Sequence, residues 1–173
     1  MPPRPFRVRR ATLVDAAEIA AIYNEGIDEG GATLNTEHAS AKERRGRIKR
    51  GGYRHPFFVV TDRSSNRVVG WASISEYSPR ACYAGIGEVS VYVRKGYRQR
   101  GLGRALLQTL IAESRPLGYW KLMGRMFVSN AASRRAFTAL GFREVGVLEK
   151  HGKLGRDWID VVEVERLIAE NVV

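Results

Sequence analysis

Three arginines, Arg98, Arg100 and Arg104, crowd a short segment that also holds Gln99, Gly101, Leu102 and Gly103. The segment lies between a strand-like stretch, Glu88-Val89-Ser90-Val91-Tyr92-Val93, and a helical one in which Leu102, Ala105, Leu106, Leu107 and Leu110 recur. A strand running through such a turn into a helix gathers unpaired backbone N–H groups and the positive end of a helix dipole at one point. That arrangement suits an anion: Gly101 and Gly103 let a phosphate approach the backbone, and the arginines surround it with charge. The same residues also fit a surface turn whose arginines face water. A Walker loop is excluded because no Gly-Lys-Ser/Thr follows, and the dinucleotide Gly-x-Gly-x-x-Gly pattern is absent.

A second block stands downstream, where Asn130-Ala131-Ala132-Ser133 opens a helix that closes at Ala139-Leu140-Gly141-Phe142. Around these blocks the chain alternates strands and helices. Residues 6–10 alternate as a first strand, and Asp15 caps a helix with Ile19, Ile22, Tyr23 and Ile27 on one face. Gly30-Gly31-Ala32 breaks it, residues 33–37 form an irregular link, and a second helix runs over 39–49. Strands at 57–62 and 68–75 form a hairpin about Arg63-Ser64-Ser65-Asn66. After the helix at 103–115 come a strand at 120–128, the helix at 130–140 and a strand at 143–149. A glycine-rich basic connection, Lys150 to Arg156, precedes a last strand at 158–167. This order predicts one mixed α/β domain over 1–173, a twisted sheet with helices on both faces.

The 173 residues suffice for one well-buried domain. With 29 Lys and Arg against 18 Asp and Glu, the net charge of +11 favours polyanionic partners and disfavours cationic substrates. Charge alone leaves a nucleic-acid-binding module open. The densest block, Arg44 to Arg50, reads rather as a solvated helix face, so no nucleic acid is expected. The lone Cys82 rules out an internal disulfide and a cysteine-rich metal site, and in its strand-like surroundings reads as a small core residue. No metal is expected. The segment Met1 to Pro5 has no apolar signal core, and no apolar run approaches the roughly 20 residues of a membrane span, so a cytoplasmic protein is expected.

Arg98-x-x-Gly101-x-Gly103 between strand and helix, with Asn130-x-x-Ser133 and Leu140-Gly141-Phe142 behind it, resembles the GCN5-related N-acetyltransferases (GNAT). Gly70-Trp71-Ala72, Arg80 with Tyr83, Glu88-x-Ser90-Val91-Tyr92-Val93, Lys150-His151-Gly152 and Trp158-x-Asp160-Val161 narrow the resemblance to phosphinothricin and methionine sulfoximine N-acetyltransferases. The sequence also resembles the branch linked to arsinothricin resistance. The resemblance implies a sheet of about seven strands splayed at a cofactor cleft, acetyl-CoA as cosubstrate, a small acidic amino acid as acceptor and a homodimer. It implies that Val91, Tyr92 and Val93 pair with the pantetheine arm, that Arg98, Gln99, Arg100, Gly101, Leu102, Gly103 and Arg104 hold the pyrophosphate, and that Asn130 and Ser133 contact the arm. Arg80 and Tyr83 would orient the substrate, with Leu34 where an aromatic residue is usual.

Transfer of an acetyl group to an amine needs a base, because an amino group arrives mostly protonated. Glu88, at the start of the central strand, is the first candidate, acting directly or through a water. His151 is the second, since imidazole titrates near neutral pH. The family's tyrosine seven residues after Asn130 is Phe137 here, so protonation of the leaving thiolate falls to water or another tyrosine such as Tyr92. Ser78 replaces a second arginine of the phosphinothricin enzymes, and an insertion at Gly155-Arg156-Asp157 separates His151 from Trp158. Acetylation of protein N-termini or of another amino acid is the alternative within the same chemistry.

Overall fold

A computed structural model describes residues 5–172. Residues 1–4, most of the segment read above for a signal core, lie outside the described residues. Seven strands form one sheet: β1 (Phe6–Arg10), β2 (Phe57–Asp62), β3 (Val68–Glu76), β4 (Ile86–Val93), β5 (Lys121–Phe127), β6 (Arg143–Leu154) and β7 (Asp157–Leu167). Their spatial order is β1-β2-β3-β4-β5-β7-β6, antiparallel throughout except for the β4–β5 pair. Among the described residues, four α-helices cover it: α1 (Ala16–Asp28), α2 (Ala41–Gly51), α3 (Leu102–Ser114) and α4 (Ala131–Thr138).

Alternation along the strands sorts the core into two layers. Phe57 and Val59 of β2 and Trp71 of β3 pack under Ile19, Ile22 and Tyr23 of α1. Phe58 and Val60 face the other way and join Leu102, Leu106, Leu107 and Leu110 of α3, with Phe137 of α4 and Phe142. On β4 the same rule sends Val89, Val91 and Val93 toward α3, while Tyr92 packs on the α1 side. Glu88, two strand positions from Ser90 and four from Tyr92, shares that second face.

Three expectations change. The connection at 150–156 is mostly strand: β6 continues to Leu154 and pairs with β7 down to Leu154↔Asp157, leaving only a tight turn. Tertiary pairing overrides the glycine and lysine turn signals there. Cys82 is exposed in a 3-10 turn between β3 and β4, because the loop after Glu76 closes before β4 begins. Arg44 leaves the solvated face of its basic block: it is 1% exposed, with its guanidinium 3.9 Å from the centre of the Tyr23 ring and 5.7 Å from that of Trp71. Its position four residues before Ile48 places it on the inner stripe of α2.

Candidate active site

The parallel strands β4 and β5 share register only from Ile86↔Lys121 to Glu88↔Met123. Beyond Met123, β5 continues its ladder with β7, and β4 with β3. The two strands part, and the gap is a cleft of about 350 Å3 lined by Leu34, Glu88, Tyr92, Arg125, Asn130 and His151 among others. Five of these six stand among the site residues that the sequence singles out. Val91 and Ser133 line it too, whereas Phe137, also on the wall, carries no hydroxyl.

Each of these side chains is placed by a local device. Asn130 caps α4, its Oδ1 accepting from the Ser133 backbone N–H at 3.1 Å, while its Nδ2 reaches the Gly31 carbonyl at 3.5 Å. His151 owes its direction to a bulge: the β6–β7 register shifts between Leu148 and Gly152, and Lys150 there has a positive φ of 48°. The Lys150 N–H donates to Asp160 Oδ1 at 2.7 Å and pins the bulge. Tyr92 stacks on Trp71, ring centroids 4.8 Å apart, and its hydroxyl donates to the Ala32 carbonyl at 3.4 Å. Burial pushes this phenol up to about 12.

The basic turn is partly self-paired. Arg98 donates from Nε to the Val93 carbonyl at 3.0 Å and pairs with Glu29 at 2.6 Å. Arg100 donates to the Gly96 carbonyl over the Tyr97 ring, and Arg104 is exposed. Leu102 is buried in the core, so only its backbone faces outward. Gln99 and Gly101 both take positive φ, 62° and 73°, and α3 starts from Gly101 with open space above it. The first-turn N–H groups of α3 lack intrahelical partners by geometry. A Cβ on Gly103 would lie 3.8 and 3.9 Å from the methyls of Val93 and Val91, so this turn sits beside the free part of β4.

Arg80 and Tyr83 stand apart from the cleft lining. Arg80 lies over the Tyr83 ring at 5.6 Å, and Tyr83 meets Tyr77 edge-on at 5.8 Å. The loop follows β3, whose last residue, Glu76, pairs with Gly87 next to Glu88. Arg125 itself was not singled out by sequence. Its signal was a lone cation at an alternating position of β5 between Met123 and Phe127.

An anion-ready helix start beside a free strand edge, with a carboxylate and an imidazole across the gap, is a place for a phosphate-bearing thioester and an amine. Residues 19–142 match the family model for the acetyltransferase (GNAT) family. The chain belongs to this family. It is an acyltransferase, and its acetyl donor is acetyl-CoA.

The chain is 33% identical over 159 residues to an L-methionine sulfoximine/L-methionine sulfone acetyltransferase of Pseudomonas aeruginosa, covering 89% of this chain and 90% of that one. It is 32% identical to a phosphinothricin N-acetyltransferase of Streptomyces coelicolor, covering 92% and 95%. Among solved structures, yncA of Salmonella typhimurium with its cofactor acetyl-CoA superposes at a TM-score of 0.91, with 27% identity over 97% of this chain and 96% of that one. A ribosomal-protein-alanine N-acetyltransferase of Brucella melitensis superposes at 0.87, with 30% identity over 94% and 99%. The open edge of β4 and the free space over Gly101 leave room for a phosphate-bearing ligand. Among the described residues, no helix is long and apolar enough to cross a membrane.

Proposed function

We propose that this GNAT enzyme acetylates the α-amino group of a small glutamate-like amino acid of the phosphinothricin, methionine sulfoximine, methionine sulfone or arsinothricin kind. The observation that carries the reading is the pairing of Glu88 and His151 on one cleft beside the free edge of β4. The similarity to acetyltransferases named for such amino acids supports the substrate class.

In this reading the backbone of Val91 to Val93 holds the pantetheine arm by strand addition, and the first turn of α3 takes the pyrophosphate. Acetyl-CoA supplies the acetyl group and a thiol leaving group. Glu88 removes a proton from the substrate ammonium, directly or through a water, and His151 stands by as the second titratable group. The freed nitrogen lone pair forms the new C–N bond as the C–S bond breaks. The sulfur then takes a proton from water, since Phe137 offers none. Arg80 and Tyr83, in the loop after β3, orient the substrate, the arginine by a bidentate grip on a carboxylate or phosphinate. The enzyme works in the cytoplasm as a homodimer, a pairing supported by exposed Val145 and Val147 on the edge strand β6.

A second reading, acetylation of protein N-termini, is favoured by the likeness to the ribosomal-protein-alanine enzyme. Thiol release from acetyl-CoA separates the two. Turnover on one of phosphinothricin, methionine sulfoximine, methionine sulfone or arsinothricin, with glutamate ignored, supports the first. Silence on all of them, with acetylation of an alanine-headed peptide, establishes the second instead.

A further inference from the structure

Arg125 stands next to the proposed base. Its Nη1 is 3.5 Å from Glu88 Oε1, and its Nε donates to Glu163 Oε1 at 2.8 Å. The two contacts are unequal. The Glu163 bond, made across the β5–β7 register at Arg125↔Glu163, fixes the guanidinium from its Nε side. The Glu88 contact is at the limit of a hydrogen bond and leaves the Nη groups only weakly engaged. The side chain lines the cleft with 39% of its surface open. Burial alone would lower its proton affinity, but the Glu163 bond and the charges of Glu88 and Glu163 raise it, so the cation is permanent.

We infer that Arg125 binds the α-carboxylate of the acceptor, so that Glu88 and Arg125 together read the two charges of a free amino acid. The inference rests on the proposed function and names the group that the same site recognises. A free amino acid carries an ammonium and a carboxylate on one carbon. A carboxylate and a guanidinium already side by side in the cleft are the complement of that pair. On binding, Glu88 exchanges its loose contact with Arg125 for the substrate ammonium, and Arg125 exchanges Glu88 for the substrate carboxylate. Both protein charges stay paired, which avoids stranding a desolvated charge. The guanidinium also offers two parallel N–H groups to a carboxylate, a geometry that an amide carbonyl does not match.

A peptide N-terminus has a neutral amide where the free amino acid has its carboxylate. Arg125 therefore discriminates against peptides. Arg80, over the Tyr83 ring, remains for the oxygens of the distal head group.

The test compares each panel amino acid that wild-type enzyme accepts with its α-carboxamide, reading kcat and KM by thiol release. Wild-type enzyme should favour the acid over the amide by roughly 10- to 100-fold in kcat/KM. In Arg125→Gln that preference should fall toward one, chiefly through a raised KM for the acid, and Arg125→Lys should restore part of it. Acetyl-CoA binding, measured by calorimetry, reports whether each variant is folded, and the Lys variant carries the test if the Gln variant is not. Equal losses on acid and amide would overturn the inference, reducing Arg125 to a residue that orients Glu88. So would wild-type enzyme that accepts acid and amide alike, although the amino-acid acetyltransferase reading would then survive. Wild-type enzyme that acetylates only peptides would overturn both.

Discussion

Leu34 lies directly over Gly152. A Cβ built on Gly152 would stand 2.6 Å from Leu34 Cδ1 and 2.9 Å from Cδ2, closer than real contacts allow. The glycine thus lets the link between α1 and α2 close on the β6–β7 hairpin, beside His151. Gly152→Ala should push the flexible end of Leu34 into the cleft and raise the KM for the amine several-fold, with acetyl-CoA binding unchanged. The backbone at Gly152 is not in the left-handed region, so the cost is the displaced side chain alone. An unaltered KM would mean that Leu34 does not border the acceptor.

Tyr92 is a poor proton source for a leaving thiolate. Burial pushes its pKa up to about 12, and its hydroxyl makes only a long contact, 3.4 Å, with the Ala32 carbonyl. An ordinary thiol sits near 8.5, so the transfer would be uphill by about 3 units, or about 4–5 kcal/mol. Tyr92→Phe keeps the stack on Trp71 and should hold kcat within about threefold of wild type, a factor worth less than 1 kcal/mol. A loss of a hundredfold or more, with acetyl-CoA still bound, would make the phenol the acid after all.

Much of this site was legible because its residues announce themselves in local patterns. The Arg98 to Gly103 turn sits between two strongly periodic elements, and Asn130 caps its helix in a way that spacing alone predicts. Glu88 and His151, 63 residues apart in sequence by subtraction of their numbers, were legible as chemistry through the family resemblance; their meeting in one cleft depends on the sheet order. Arg125 escaped because a cation on a strand normally signals a solvated face. Lys150 and Gly152 read as turn formers because pairing with β7 is invisible locally. Arg44 was hidden in a basic run, although its place four residues before Ile48 puts it on the inner stripe of α2.

The buried Arg44 makes a test of what its charge contributes. Burial, and then the neighbouring charge of Arg47, lower its proton affinity, and its Nε and Nη1 have no hydrogen-bond partner among the described residues. What holds it is stacking on Tyr23 and Trp71, worth about 0.5–2 kcal/mol. Arg44→Met keeps the volume, removes the desolvated charge and should leave the melting temperature equal or higher. Arg44→Ala should lower it by roughly 4–8 °C, the effect of about 2 kcal/mol from an emptied site in a chain of this size. A Met variant as unstable as the Ala variant would show that the charge itself is needed.

Acid should unfold the protein through two named carboxylates. Burial would raise Asp15, but both outer nitrogens of Arg9, at 2.8 and 2.7 Å, and the Thr12 N–H, at 2.8 Å, outweigh it and hold the group below its ordinary value. Glu165 is lowered first by its bond to Lys121 at 2.8 Å, with Arg143 on its other oxygen. With both folded-state values depressed, the unfolded chain binds the extra protons as pH falls. The stabilisation is therefore complete above the unfolded values, near pH 4, and is lost as pH drops through the folded ones. Urea midpoints should be level with respect to these groups at neutral pH and fall below about pH 4. Asp15→Asn should begin lower at pH 7 by about 1.5–3 kcal/mol, the worth of hydrogen bonds to a charged group, and fall less steeply in acid. An Asp15→Asn curve parallel to wild type through that window would remove Asp15 from the account and leave the acid sensitivity to Glu165.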